Sequence, residues 1–158
     1  MRILDPACGG KMFWFDKENP DVVFGDIRSE EHTLVDGRHF EVRPDAQMSF
    51  EALPFCDGSF DMVVFDPPHL ENAGDKGWQK IKYGRLEHGW RDYLPRGFSE
   101  CFRVLKDGGF LIFKWNETQI LVSEITSMIG RPPLFGHKSG KAANTHWLCF
   151  AKTDRPPF

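Results

Sequence analysis

A four-residue motif in the middle of the chain, Asp66-Pro67-Pro68-His69, carries the side chains with the clearest chemical potential. The prolines lack backbone N–H donors and favour a rigid, extended turn. The Asp66 carboxylate and a neighbouring backbone carbonyl would then present two acceptors, which match the two hydrogens of a planar amino group. His69 adds a flat ring that can stack on a base. We therefore treat Asp66, Pro67, Pro68 and His69 as candidate catalytic residues that fit a planar amino group.

A glycine turn and a second acid offer a place for a nucleoside-like ligand. In the segment Asp5-Pro6-Ala7-Cys8-Gly9-Gly10, an acid ends an apolar run and the glycines allow a ligand close to the backbone. Asp26 follows 21 residues after Asp5, and an acid at the end of a neighbouring strand can bind both hydroxyls of a ribose. The Gly-x-Gly-x-x-Gly pattern is absent, which argues against NAD and FAD.

Basic and aromatic side chains alternate over residues 76–91. They are Lys76, Lys80, Lys82, Arg85 and Arg91 with Trp78, Tyr83 and Trp90. This mixture suits a single-stranded nucleic acid with stacked bases, or a lid over a pocket; the alternative is an ordinary solvated loop. We assign to substrate binding Lys76, Trp78, Lys82 and Tyr83, and with them the strand-end triplet Lys114, Trp115 and Asn116.

The elements that must position these residues alternate between strands and helices. Strands are expected at 2–5, 21–26, 45–50, 60–65 and 110–113, with a final strand, turn and strand over 133–151. Helices are expected from Lys11, near 29–35, over 94–105 up to an Asp107-Gly108-Gly109 stop, and after an Asn116 cap with Gln119. Residues 70–90 are expected to form a loop. The alternation predicts a parallel α/β sheet with helices on both faces and ligands at the carboxyl ends of the strands.

Length and composition limit the class of protein. The 158 residues fit one domain spanning 1–158, and 41% hydrophobic with 27% charged residues is typical of a globular chain. No apolar run approaches the roughly 20 residues that cross a bilayer. Four scattered cysteines favour reduced thiols and a cytoplasmic location, and the histidines show no metal spacing. The net charge of −3 argues against a dedicated duplex-DNA binder.

The glycine turn after Asp5, the acid Asp26 and the motif Asp66-Pro67-Pro68-His69 follow one another along the chain as they do in class I S-adenosylmethionine-dependent methyltransferases. The chain resembles most closely the amino-methylating branch of that family, which has an Asp/Asn/Ser-Pro-Pro-aromatic motif. The chain is also similar to small stand-alone prophage methylases, which share its stretches at 13–16 and 113–116. The resemblance covers essentially the whole chain. It implies a single-domain Rossmann-like fold whose seven-stranded, mostly parallel sheet has the order 3-2-1-4-5-7-6, with the last strand antiparallel.

The resemblance also implies S-adenosylmethionine as the cofactor. It places the cofactor at Asp5, Ala7, Cys8, Gly9, Gly10, Lys11, Asp26, Ile27, Ser49 and Phe50. Lys11 is the candidate partner of the cofactor's carboxylate. The family usually has an acid near the end of strand three, whereas this chain has Ser49 at the corresponding position, so the contact to the cofactor's adenine is left open.

The implied reaction is methyl transfer to an exocyclic amino group, foremost adenine N6 of single-stranded or flipped-out DNA or RNA. A small molecule or a protein amide is an alternative acceptor. A non-catalytic, cofactor-binding subunit of a methylase complex is a third interpretation, which Ser49 and His69 keep open because both depart from the family pattern. We further expect the chain to form a homo-oligomer or to bind a separate recognition subunit. We do not expect it to bind a membrane.

Overall fold

The structure, a computed structural model, describes residues 1–34, 36–74, 78–139 and 144–153. The strands are β1 (Ile3–Asp5), β2 (Val22–Asp26), β3 (Glu30–Thr33), β4 (His39–Val42), β5 (Ala46–Gln47), β6 (Phe60–Phe65), β7 (Leu105–Asn116), β8 (Phe135–Ser139) and β9 (Thr145–Ala151). The helices are α1 (Trp78–Tyr83), α2 (Trp90–Val104) and α3 (Val122–Ile129).

Seven strands form one sheet in the order β5-β2-β1-β6-β7-β9-β8, while β3 and β4 form a separate hairpin. The pairs from β5 to β7 are parallel, and β9 runs antiparallel to both β7 and β8. When the hairpin is left out of the numbering, this order is 3-2-1-4-5-7-6. The predicted sheet and its antiparallel end are therefore confirmed.

One face of the sheet carries the main core. Leu4 of β1 pairs with Val23 of β2 on one side and with Val63 of β6 on the other, and Leu4 and Val63 are both fully buried. Rings of Phe65 and Phe113 pack edge-on against Phe98 of α2, at centroid distances of 5.3 and 5.0 Å. The helical periodicity expected over 94–105 is thus the buried face of α2.

The opposite face is covered differently from the prediction. Residues 6–21 are all described and form turns, so the helix expected from Lys11 is wrong. Gly9 and Lys11 have φ values of +49° and +52°, a left-handed conformation that does not propagate a right-handed helix. Trp14 instead packs edge-on against Phe24 of β2 at 5.3 Å. Helices on both faces are therefore not found along this connection.

The connection after β2 also differs. Where a short helix was expected near 29–35, residues Glu30–Thr33 pair with His39–Val42 as the β3–β4 hairpin, and residue 35 lies outside the described part. Gly37 supplies the positive φ of +80° in the intervening turn. Phe40 of this hairpin lies against Gly10, where a Cβ atom would meet the Phe40 ring at 2.6 Å.

Three boundaries need correction. Within the expected loop 70–90 lies the short helix α1. Helix α2 ends at Val104, and Asp107-Gly108-Gly109 lies inside β7, because Leu105 already pairs with Phe60. Asn116 ends β7 and accepts a hydrogen bond from the Thr118 N–H, whereas α3 begins only at Val122.

None of the helices in the described ranges has the length and apolar character needed to cross a membrane.

Candidate active site

A cavity of about 520 Å³ opens at the carboxyl ends of β1, β2 and β6. Its size is within the range of small-ligand sites, and its position is where parallel α/β sheets bind ligands. Most of the residues assigned from the sequence line it, namely Ala7, Cys8, Gly9, Gly10, Asp26, Ile27, Phe50, Asp66, Pro67, Pro68, His69, Lys82 and Tyr83. The structure therefore brings the cofactor-type and catalytic-type motifs to one place.

The turn after β1 is tied to the end of β2. The Gly9 N–H donates a hydrogen bond to Oδ2 of Asp26 at 2.9 Å, and the Cys8 N–H donates to the Gly25 carbonyl at 2.9 Å. Gly9 needs its left-handed φ for this turn, which favours glycine. Burial raises the pKa of the Cys8 thiol, so Cys8 packs in the turn and is not an activated nucleophile.

Asp26 has a buried carboxylate that is held from two sides. Oδ2 accepts from Gly9, and Oδ1 accepts from the backbone N–H of Arg28 at 2.9 Å and from its Nε at 3.4 Å. The same guanidinium donates through Nη1 to the Ile81 carbonyl at 2.9 Å and to Glu30 at 3.2 Å. Arg28 thus links β2, the hairpin and α1. The sequence analysis missed it, because a basic residue after a strand gives no signal by itself.

Asp5 lies beneath the cavity and does not line it. It is fully buried, and its carboxylate accepts hydrogen bonds from Trp14 Nε1 at 2.8 Å and from the Ala7 N–H at 3.3 Å. Burial raises the pKa of Asp5 to about 7, although the Trp14 hydrogen bond opposes the shift. Asp5 therefore supports the glycine turn from below.

Lys11 and Ser49 lie outside the first cavity. Lys11 Nζ donates to the Lys17 carbonyl at 3.1 Å and lies 4.0 Å from the centroid of the Phe24 ring, at a second cavity of about 810 Å³. Ser49 Oγ accepts from the Glu51 N–H at 3.2 Å in a local turn. Neither side chain lines the first cavity, although Lys11 shares the second cavity with Gly9 and Gly10.

Phe50, next to Ser49, does line the cavity. Its ring packs against Phe65 at a centroid distance of 5.2 Å. Gly97 of α2 makes room for it, since a Cβ atom there would meet the Phe50 ring at 2.5 Å. Gly97 is a second residue that the sequence analysis missed, because a glycine inside a helical pattern reveals its neighbour only in the folded chain.

The strand-end acid Asp66 forms an ion pair. Lys114 Nζ lies 2.5 Å from Asp66 Oδ2, and both side chains are largely buried. Burial raises the pKa of Asp66, while the Lys114 charge acts in the opposite direction. Of the predicted Lys114-Trp115-Asn116 triplet, Lys114 therefore reaches the site as the partner of Asp66.

His69 is a buried, uncharged ring at neutral pH. Burial, and to a smaller extent the nearby Lys114 charge, lower the pKa of His69 to about 4. The His69 ring lies between Tyr83, at 5.7 Å, and Trp115, at 6.2 Å. Pro68 is covered by Gly84, where a Cβ atom would come within 2.9 Å of the proline ring.

The remaining substrate-type residues are divided. Lys82 Nζ lies 5.7 and 5.5 Å from the ring centroids of Trp78 and Tyr83 on α1, and Trp78 is exposed. Lys76 lies outside the described residues. Trp115 is fully buried and donates to the Ile120 carbonyl, and Asn116 donates to Thr145 Oγ1 at 3.1 Å, so neither faces the cavity.

Gln119 fastens the loop that follows the two prolines. Its Oε1 accepts from the N–H groups of Glu71 at 2.8 Å and Asn72 at 2.9 Å, and its Nε2 donates to the Asn72 carbonyl. The Trp90 ring N–H donates to the Glu71 carboxylate. The sequence suggested a capping role for Gln119, whereas the structure gives it an anchoring role.

The hairpin carries a group that the sequence analysis did not anticipate. Glu31, His39 and Glu41 have ligand-type atoms within 4.8 Å of one another, and all three residues are exposed. Exposed carboxylates commonly cluster in this way without a metal ion. The four cysteines are unpaired, as expected for reduced thiols.

Comparison with known proteins gives the fold. No family model and no curated protein match the sequence. A candidate histamine N-methyltransferase from Thermotoga maritima superposes with a TM-score of 0.60 at 11% identity, over 96% of this chain and 82% of that one. The chain has the fold of S-adenosylmethionine-dependent methyltransferases.

Two further solved structures have the same fold as this chain. A TehB-like methyltransferase from Corynebacterium glutamicum gives a TM-score of 0.58 at 14% identity, over 96% of this chain and 80% of that one. A 16S rRNA N2 G1207 methyltransferase from T. thermophilus, solved with AdoMet and guanosine, gives 0.55 at 14% identity, over 99% of this chain and 36% of that one. Neighbours with this fold thus include RNA-modifying as well as other methyltransferases.

Proposed function

We propose that the protein is an S-adenosylmethionine-dependent methyltransferase that acts on an exocyclic amino group. One observation carries the proposal: Asp66 directly follows the central strand β6 and lines the same cavity as the Gly9 turn and Asp26. A carboxylate followed by two prolines, beside a site suited to a nucleoside, is an arrangement that presents acceptors to an amino group.

The residues present fit the cofactor. The left-handed Gly9 turn leaves its backbone open to the cavity, and the buried Asp26 carboxylate can exchange its Arg28 contact for ribose hydroxyls. Ile27 and Phe50 give apolar surface beside it, which suits the faces of an adenine ring. When bound, S-adenosylmethionine would supply a methyl group on a sulfonium: the sulfur would keep the electrons of the broken carbon–sulfur bond, and the acceptor nitrogen would form the new bond and lose one proton, for which the Asp66 carboxylate is an acceptor.

The chain's own residues orient the acceptor. Asp66 and the Pro67 carbonyl would accept the two amino hydrogens, so that the nitrogen lone pair points to the methyl group instead of conjugating with the ring. Lys114 pairs with Oδ2 of Asp66, and among the described residues no hydrogen bond reaches Oδ1. Since positioning can supply much of the rate of such a transfer, this orientation is the principal contribution of the protein.

For the acceptor we propose adenine N6 of DNA or RNA, presented as a single strand or a flipped-out base. His69 and Tyr83 line the cavity with flat rings, and Lys80, Lys82 and Arg85 add basic groups along α1 and the residues after it. Stacking on aromatic rings and contact with phosphates are the usual means of binding a single strand. A separate recognition subunit or a second copy would extend this small surface.

A small acceptor is the second candidate. Arg28 holds the Ile81 carbonyl and Gly84 lies on Pro68, so that α1 extends across the cavity. Such a cover favours an acceptor that fits entirely inside, for example a small amine or a side-chain amide.

The test is single-turnover transfer of labelled methyl to single-stranded, adenine-containing oligonucleotides and to a panel of small amines. Asp66→Ala should lose about 10²–10³ in rate and keep most cofactor affinity, since the lost contact acts mainly in the transition state. Asp61→Ala is the matched control, because Asp61 lies near the other end of β6 and pairs with Lys106.

The outcomes separate the candidates. Transfer to oligonucleotides alone supports the nucleic-acid acceptor, and transfer to amines alone supports the small one. Cofactor binding without transfer to any acceptor would make the chain a non-catalytic subunit. Parent-like transfer by Asp66→Ala would contradict the amino-group mechanism.

A further inference from the structure

The ammonium group of Lys114 is held in a defined cage. It lies 2.5 Å from Asp66 Oδ2, 5.5 Å from the centroid of the Phe13 ring and 5.8 Å from that of the Trp147 ring. The Lys114 and Asp66 side chains are only 19% and 15% exposed. A cation beside aromatic faces and away from water is attracted to the rings as well as to the carboxylate.

The two rings are themselves fixed. Trp147 pairs directly with Lys114 across the β7–β9 ladder, so both side chains lie on the same face of the sheet. Phe13 packs edge-on against Trp147 at 5.6 Å. Its neighbour Trp14 is anchored by the hydrogen bond to the buried Asp5. The cage is therefore built from β9, β7 and the irregular segment after the glycine turn.

On the basis of the proposed methyl transfer, we propose that Lys114 is a positioning residue for Asp66, and that Phe13 and Trp147 form the cage that aims it. By pairing with Oδ2, Lys114 fixes the carboxylate so that Oδ1 remains for the amino hydrogen of the acceptor. This gives Phe13, the first residue of the stretch 13–16, a role at the site.

The charge of Lys114 has a second effect, on the ionisation of Asp66. The titratable groups around Asp66 are Lys114 on β7, Asp5 on β1 and His69 in its own loop. Burial favours the protonated carboxyl, Asp5 adds a like charge when it is ionised, and His69 is uncharged at neutral pH. Lys114 is therefore the group that keeps Asp66 able to accept a hydrogen bond instead of donating one.

A positioning role and direct substrate binding make different predictions. A lysine that binds substrate phosphate would, when removed, raise KM and weaken the salt dependence of binding. A lysine that holds Asp66 would, when removed, lower kcat. It would also move the acid limb of the rate profile to higher pH, because the pKa of Asp66 would rise.

The experiment compares Lys114→Gln and Lys114→Arg with the parent chain. Lys138→Gln is the matched control, since Lys138, on the edge strand β8, also forms an ion pair, with Glu117 just after β7. Single-turnover transfer is measured from pH 5 to pH 9. In parallel, the aspartate carboxyl carbons are titrated by NMR, and Asp66→Asn assigns the Asp66 signal.

For Lys114→Gln we expect a loss of about 10²-fold in rate at pH 7. The acid limb and the Asp66 titration should both move up by about 1–3 pH units, the usual effect of removing an adjacent opposite charge. Lys114→Arg should recover most of the rate, and Lys138→Gln should match the parent in both measurements. Phe13→Leu should give a smaller shift in the same direction, which keeps the test open if Lys114→Gln folds poorly.

An unchanged Asp66 titration in Lys114→Gln would overturn the inference, as would a higher KM with an unchanged acid limb. The NMR titration needs no activity. If the parent transfers no methyl group but the Asp66 titration still shifts, the control of ionisation stands and the proposed function fails.

Discussion

The backbone N–H of Gly9 donates to Oδ2 of Asp26 at 2.9 Å, so the turn after β1 and the acid at the end of β2 form one unit. The two residues come from separate strands and meet because those strands are parallel neighbours. A ligand that binds along the Gly9 turn therefore has the Asp26 carboxylate within reach, and changes at either residue are expected to affect the same binding event.

Asp26→Ala should weaken S-adenosylmethionine binding more than tenfold. Two hydrogen bonds from ribose hydroxyls to a charged acceptor contribute about 1.5–3 kcal/mol each. Asp26→Asn keeps one acceptor oxygen and should give an intermediate affinity. Calorimetry measures both, with Asp16→Ala as the control because Asp16 caps an exposed turn. An unchanged dissociation constant for Asp26→Ala would remove Asp26 from the ribose role.

Gly9→Ala and Gly37→Ala should have similar effects on stability but different effects on binding. Both glycines have positive φ, +49° and +80°, so each alanine should cost about 1–2 kcal/mol of unfolding free energy. Gly9 lines the candidate cofactor cavity, whereas Gly37 lies in the hairpin turn with nothing within 4 Å of its added Cβ. Urea unfolding and calorimetry on both variants test this; equal loss of cofactor affinity would show that the effect is indirect.

Much of the sheet could be predicted from the sequence. The runs at β1, β2 and β6 are apolar, short and followed by acids, and such runs are buried in parallel sheets regardless of distant partners. The carboxyl-end rule then placed Asp26 and Asp66 together. These inferences used features that are local in the sequence or follow from the geometry of the sheet.

The parts that could not be predicted depend on partners far apart in the chain. The segment after Gly10 looked helical, but Trp14 reaches back to Asp5 and the left-handed Lys11 interrupts a helix. Lys114 looked like a substrate contact because nothing in its spacing reveals Asp66, 48 residues earlier. Arg28 likewise reaches α1 through the Ile81 carbonyl, 53 residues away in the chain.

Gln119→Ala should loosen the loop after the two prolines without removing a residue that lines the cavity. It deletes two acceptor contacts to backbone N–H groups, each contributing about 0.5–1.5 kcal/mol. We expect faster hydrogen exchange at Glu71 and Asn72 and a lower methyl-transfer rate, with cofactor affinity retained. Asn19→Ala is the control, because Asn19 Oδ1 also accepts a backbone N–H bond, from Asp21, in an exposed turn and does not line the first cavity. Unchanged exchange at Glu71 would show that Gln119 is not the anchor.

Asp5 should make stability fall as pH rises from about 4 to about 7. Burial raises its pKa from 3.8 in the unfolded chain to about 7 in the folded one, so over this window the folded state binds more protons than the unfolded state. The linkage relation then gives a decrease in unfolding free energy with pH, of roughly 4 kcal/mol for three pH units.

Asp5→Asn cannot ionise, so its unfolding free energy should lose this component of the pH dependence. The amide oxygen can still accept from Trp14 or Ala7, although not from both as the carboxylate does. Urea unfolding of both proteins at pH 4.5, 6 and 7.5 gives the difference directly. It should be largest in favour of the parent at pH 4.5 and shrink steadily towards pH 7.5. A difference that stays constant across the three pH values would mean that Asp5 is ionised in the folded protein throughout, with its charge stabilised by the Trp14 and Ala7 donors.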